Sequence, residues 1–311
     1  MGALTAKRIV EEGGAVITLD INNELGKDVA NEIGKKCEFI HADVTKSESW
    51  NDLENYLGDK FNQITSVINA AGISEPATIE DETFDHWNKT HAINGTSVFL
   101  GCQFGVKAMK ENGGSIVNFS SSLATRPKPF VIAYNYSKAG VLAITRTVAL
   151  HCAEMGYKIR CNSVQPGAIN TPMMQRYVEV AEDPKQQLAD FAASHPMNRV
   201  GDPDEVVNAV LFLASDDSAF TTGDSISVDG GVVEIQTLNT SASDVGIEVT
   251  AGSIHIGDWN IDMTHRSYGV ELSDDANACL LNTSDAADEG GGVDLGGRRI
   301  SKKKRCVSGG G

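Results

Sequence analysis

Up to about Gly231 the chain alternates short β-branched runs with longer amphipathic stretches, and nothing else in the sequence limits the fold as strongly. The periodicity predicts helices over 5–12, 24–33, 47–57, 84–92, 96–110, 134–154 and 204–214. Between them it predicts strands over 15–20, 37–42, 66–69, 115–120, 158–166 and 225–231. Strands separated by helices build a doubly wound parallel sheet, an α/β fold that takes its ligands at the carboxyl ends of the strands. That rule gathers Asp20, Asp43, Asn69, Ser121 and Pro166 on one rim.

The chain has 311 residues and a formal charge of −16, enough apolar content for one large core or two modest ones. An acidic chain without a basic patch argues against a nucleic-acid partner. No apolar run reaches bilayer length and no charged-then-apolar leader precedes the first helix, so a soluble, cytoplasmic protein without a membrane partner is expected. The six cysteines show no CxxC or other ligand spacing, so no metal centre is expected.

The stretch "AYNYSKAG" holds two tyrosines and one lysine. On a helix, Tyr134 and Lys138 share a face, whereas the partner position of Tyr136 is Gly140. A cation beside Tyr134 is expected to lower its pKa towards that of a general acid/base. Tyr and Lys at this spacing also occur on helices with no catalytic role, so the pair alone decides nothing.

Four features in order decide more: Asp43 in "ADVT", "NAAG" from Asn69 to Gly72, "SS" ahead of Tyr134, and Tyr134-Asn-Tyr-Ser-Lys138. "RCNSVQPGAINTPM" from Arg160 to Met173 adds a Pro-Gly element. Together, over residues 2–231, they resemble the short-chain dehydrogenase/reductase family. The resemblance implies a Rossmann-like sheet and hydride transfer between a secondary alcohol or ketone and a nicotinamide cofactor. It makes Tyr134 the acid/base and Tyr136 a bystander. Ser121 would bond the substrate oxygen, with Ser120 and Ser122 as structural neighbours. Lys138 would hold the nicotinamide ribose, and Asn94 would anchor a proton-relay water.

For the cofactor, the resemblance assigns Asp20 to the ribose hydroxyls, where a carboxylate repels a 2′-phosphate and favours NAD over NADP. Asp43 and Val44 would face the adenine, with Asn69, Ala70, Ala71 and Gly72 in the turn beneath it. Asn69 could equally tie neighbouring strands. Pro166, Gly167, the Ile169 backbone and Thr171 would meet the nicotinamide carboxamide, and Tyr134 and Lys138 its ribose. Gly2 matches only the last glycine of the opening TGxxxGxG turn. The resemblance therefore implies a first strand and most of the glycine-rich loop missing ahead of Met1.

The region 232–278 is an extension of unknown nature, with possible strands over 246–263. Residues 279–311 form a tail whose 279–304 stretch resembles the translation of a sequencing adapter. Substrate choice is expected mainly in a loop over 173–200, with contributions from 123–131; in the former, Met173, Met174, Tyr177, Phe191 and Met197 suit either a lid over an apolar substrate or simple helix packing. The closest family likeness is to bacterial 3β/17β-hydroxysteroid and cyclic-alcohol dehydrogenases. A 3-oxoacyl thioester reductase is the rival enzyme, and Asp20 argues against it. A non-catalytic dinucleotide-fold fragment is the rival of another class; the intact Ser121, Tyr134 and Lys138 argue against it, and the lost loop argues for it. Helices over 96–110 and 134–154 are where the family forms dimers and tetramers, so a homo-oligomer is expected.

Overall fold

The computed structural model describes residues 1–232 and two short strands at 270–272 and 278–280. The chain divides into two compact units, Met1–Glu234 and Ile235–Gly311. In the second unit β7 (Val270–Leu272) pairs antiparallel with β8 (Ala278–Leu280). The strands expected over 246–263 lie outside the described residues, and so does most of the 279–311 tail.

The first unit runs α1 (Gly2–Glu11), β1 (Val16–Asp20), α2 (Asn23–Ile33), β2 (Cys37–His41), α3 (Ser47–Leu57), β3 (Ser66–Asn69) and α4 (Phe84–His91). A π turn, Ala92–Thr96, joins α4 to α5 (Ser97–Met109). There follow β4 (Gly114–Phe119), α6 (Ile132–Glu154), β5 (Ile159–Pro166), α7 (Pro172–Glu179), α8 (Pro184–Ala193), α9 (Pro203–Ala214) and β6 (Ser225–Val228). The stretch expected as a loop over 173–200 is thus largely two helices, each opened by a proline behind a capping side chain, Thr171 and Asp183.

Every strand pair of the first unit is parallel, in two ladders: β1–β2, and β3–β4–β5–β6. One apolar cluster packs α3, α5 and α6 against the sheet around Met109, Ile116, Val141 and Cys161. A second lies under α9, around Val164, Val206, Val210 and Leu213, with Met1 at its border. Helices on both faces make the fold doubly wound. Gly26 allows α2 to lie on β2, since a Cβ there would fall 2.1 Å from the Phe39 ring.

Among the described residues, β1 and β3 share no ladder hydrogen bonds. Each is only partly buried along most of its length, whereas β4 and β5 are buried almost throughout. Strands with both faces covered are the rule in such sheets.

Candidate active site

Tyr134 and Lys138 lie in the first two turns of α6. The Lys138 ammonium sits 5.6 Å from the centre of the Tyr134 ring and donates to the Phe119 carbonyl over 2.8 Å. Lys138 is buried, and burial brings its pKa from 10.5 down to about 8. Tyr134 departs from expectation. Burial pushes its phenol up to about 12, the Ser121 hydroxyl pulls the other way, and the neighbouring Tyr177 adds to the rise. Desolvation is the largest effect and the Lys138 ammonium, itself disfavoured by burial, supplies no counterweight, so the phenol stays protonated. Tyr136 is exposed and stacks on Trp87 at 4.9 Å and His91 at 5.7 Å.

The three serines after β4 separate cleanly. The Ser120 hydroxyl donates to the Lys138 carbonyl over 2.8 Å, fixing α6 to the sheet. Ser121, in extended backbone, accepts from the Leu123 N–H over 3.1 Å and keeps its own proton to donate. Ser122 is buried, and its carbonyl accepts from the Arg126 N–H.

Asn94 sits fully buried inside the π turn, a deformation that recurs at functional sites. Its side chain accepts from the Ile73 N–H over 2.8 Å and donates to the Ile73 carbonyl over 2.9 Å and to Ser137 Oγ over 3.0 Å. The turn after β3 is therefore pinned to α6. Asn69 donates to Asn118 Oδ1 over 2.8 Å, tying β3 to β4. At Gly72 a Cβ would meet Asn94 Oδ1 and Lys138 Nζ, both at 3.3 Å.

Asp20 ends β1 exposed to solvent, with Oδ1 accepting from the Asn22 N–H over 2.8 Å. Asp43 accepts from the Thr45 N–H and hydroxyl, which hold its carboxyl below the usual range, and the Val44 carbonyl accepts from the Trp50 indole. Gly2 opens α1 close to Ala70, a Cβ there lying 3.6 Å from the alanine methyl, and Ala71 is the exposed residue beside it. Pro166 closes β5, and Thr171 caps α7 while donating to the Ile169 carbonyl over 3.3 Å.

Three polar features escaped the sequence reading. His195 is buried against Gly167 and Ala168, Ser74 shares a hydrogen bond with Tyr177 over 2.8 Å, and Arg126 pairs with Asp229 over 2.6 Å. Only the His195–Phe191 spacing of four residues hinted at any of them; the other two join residues 103 apart. Cys37, Cys102, Cys152 and Cys161 are free and buried, and no group of metal-binding side chains occurs among the described residues.

The arrangement can hold a carbonyl or carbinol oxygen between a serine hydroxyl and a tyrosine phenol, beside a buried lysine. Comparison with known proteins gives the family. The family model described as enoyl-(acyl carrier protein) reductase matches residues 1–233. A 2,5-dichloro-2,5-cyclohexadiene-1,4-diol dehydrogenase of Sphingobium indicum is 36% identical over 235 residues, covering 74% of this chain and 91% of its own. A 3-beta-hydroxysteroid dehydrogenase of Comamonas testosteroni is 35% identical, covering 75% and 91%. An NADP-dependent (R)-specific alcohol dehydrogenase of Lentilactobacillus kefiri is 34% identical, covering 74% and 91%. The chain belongs to the short-chain dehydrogenase/reductase family, oxidoreductases that work with a nicotinamide dinucleotide.

Proposed function

We propose that the chain interconverts a secondary cyclic or steroid alcohol and its ketone, with NAD as cofactor and Tyr134 as general acid/base. The observation that carries this reading is the convergence of Ser121, Tyr134 and Lys138 at the carboxyl end of β4. A nicotinamide dinucleotide, when bound, accepts or gives the hydride. The residues fit such a group: bare backbone at Gly72 sits beside the Lys138 ammonium, and α1 starts near Ala70 with no side-chain cap on its first backbone N–H groups.

In ketone reduction, the protonated Tyr134 gives its proton to the oxygen as negative charge grows there. The Ser121 hydroxyl donates to the same oxygen, and the Lys138 ammonium favours the phenolate that is left. Oxidation runs the same path backwards. Asp20, at the end of β1, supports NAD through repulsion of a ribose phosphate. Relatives named for a cyclohexadienediol and for a 3-beta-hydroxysteroid support a ring alcohol as substrate. Exposed Phe99 on α5 and Tyr136 and Leu150 on α6 support self-association through these helices.

The test uses the chain with an apolar strand and glycine-rich turn fused ahead of Met1. Tyr134→Phe should lower NAD-linked oxidation of cyclohexanol by about 10²- to 10⁴-fold, while Tyr136→Phe keeps most of it. Equal losses in the two variants would overturn the assignment.

A further inference from the structure

A short turn sets the direction of the Ser121 hydroxyl. The Ser121 Oγ accepts from the Leu123 N–H over 3.1 Å, the Ser121 carbonyl accepts from the Ala124 N–H over 3.0 Å, and the Ser122 carbonyl accepts from the Arg126 N–H over 3.0 Å. These bonds build the single 3₁₀ turn Ser122–Ala124. One such turn has poor hydrogen-bond geometry and gains nothing from cooperativity, so its own bonds fix it weakly. Residues 127–130, which follow, are exposed.

The Arg126 side chain anchors this turn from outside. Its Nη1 donates to Asp229 Oδ2 over 2.6 Å, a charge-assisted bond between side chains only 26% and 6% exposed, and therefore little screened. Asp229 is itself fixed. Its Oδ1 accepts from the Gly231 N–H over 3.1 Å, the Val228 carbonyl before it accepts from the Gly167 N–H over 3.0 Å, and the Gly230 carbonyl after it accepts from the Met197 N–H over 3.1 Å. Gly230 and Gly231 take positive φ, 61° and 82°, which lets this turn close. The ion pair thus runs from the loop after β4 to the turn after β6, across the end of β5, the strand between them in the sheet.

We infer that Arg126 and Asp229 are positioning residues for the reaction: their ion pair anchors the far end of the turn whose near end orients the Ser121 hydroxyl. They act through Ser121 and not on the substrate. The Leu123 N–H occupies one lone pair of Ser121 Oγ and so directs the hydroxyl proton away from the turn; once the turn opens, the hydroxyl rotates freely and that direction is lost. This inference rests on the reading of Ser121 as a donor to the substrate oxygen.

Amide hydrogen exchange in the full 311-residue chain, resolved by NMR, reads the turn without cofactor or substrate. Leu123 reports the bond to Ser121 Oγ, and Ile116 and Val117, fully buried in β4, report the fold as a whole. Arg126→Met should speed exchange at Leu123 and Ala124 by roughly tenfold or more and leave Ile116 and Val117 unchanged. Asp229→Asn should act in the same places. Arg126→Met strands a buried carboxylate, so the two substitutions together should be no worse than Arg126→Met alone. Arg126→Lys, which keeps one charged donor, should restore part of the protection. In the chain with the fused strand and turn, Arg126→Met should lower kcat for cyclohexanone reduction roughly three- to tenfold with little change in the KM of the cofactor. Fast exchange at Leu123 in the unaltered chain, no change on substitution, equal acceleration at Ile116 and Val117, independent effects of the two substitutions, or an unchanged kcat while Leu123 exchanges faster would each overturn the positioning role; the third would leave the pair as a stabilising contact only. Tyr134→Phe keeps the two readings apart: if that variant stays active, the reading of the site fails, while exchange at Leu123 still decides the anchor.

Discussion

The backbone N–H of Ala168 donates to Nε2 of His195 over 2.9 Å, tying the turn after β5 to the far end of the α7–α8 pair. The other ring nitrogen, Nδ1, faces the Phe191 carbonyl at 2.7 Å, so the neutral ring carries its proton on Nδ1. Both ends of the pair are thereby anchored, Thr171 at one and His195 at the other.

His195→Ala leaves the Ala168 N–H without its acceptor and should cost about 1–3 kcal/mol. His195→Gln can present an oxygen near the place of Nε2 and should recover part of that loss. Chemical denaturation of the three proteins measures it, and identical midpoints for Ala and Gln would show that the hydrogen bond contributes nothing.

Lys138 gives the stability a defined pH dependence. Its folded pKa, about 8, lies below the ordinary 10.5, so between these values the unfolded chain binds more protons and stability rises with pH. The rise is at most about 3 kcal/mol. Below about 8 both states are protonated and the penalty of burying the charge is fully present. Lys138→Met should lose this rise and keep the fall above about 9 that the raised thiols of Cys37, Cys152 and Cys161 impose on both proteins. Denaturation midpoints at pH about 8 and about 10 compare the two, the upper limit keeping clear of the opposite trend from Tyr134, whose raised pKa makes stability fall above about 10.

Asp20 should set the cofactor preference. In the chain with the fused strand and turn, NAD should be preferred over NADP by about tenfold or more, and Asp20→Ala should narrow the gap. Calorimetric titration with each nucleotide decides it. Preference for NADP in the unaltered protein would overturn the reading of Asp20.

The separation of β1 from β3 leads to a further expectation. Each unpaired buried backbone group costs about 1–3 kcal/mol, so a strand placed between them should join the two ladders and raise the unfolding midpoint. The 311-residue chain itself should bind NAD more weakly than the chain with the added strand. Micromolar NAD binding with a cooperative melt in that chain would show that the added strand is dispensable.

The sequence by itself determined the parallel α/β architecture, because strand and helix periodicities are local properties; Ser47–Leu57 and Ser66–Asn69 fall where the pattern puts them. It also determined that Tyr134 and Lys138 share a helix face, since that follows from 3.6 residues per turn. Local signals did not reach further. Asn69 reads in sequence as either a cofactor residue or a strand tie, and only packing brings it to Asn118. The direction of the Tyr134 pKa depends on how much protein surrounds the phenol, which no spacing encodes. Ser74 meets Tyr177, and His195 meets Ala168, across 103 and 27 residues, because the crossover geometry of the sheet returns separate loops to one rim. Tertiary structure alone decided those contacts: they are set by where strands end in space, and a one-dimensional pattern carries no record of that.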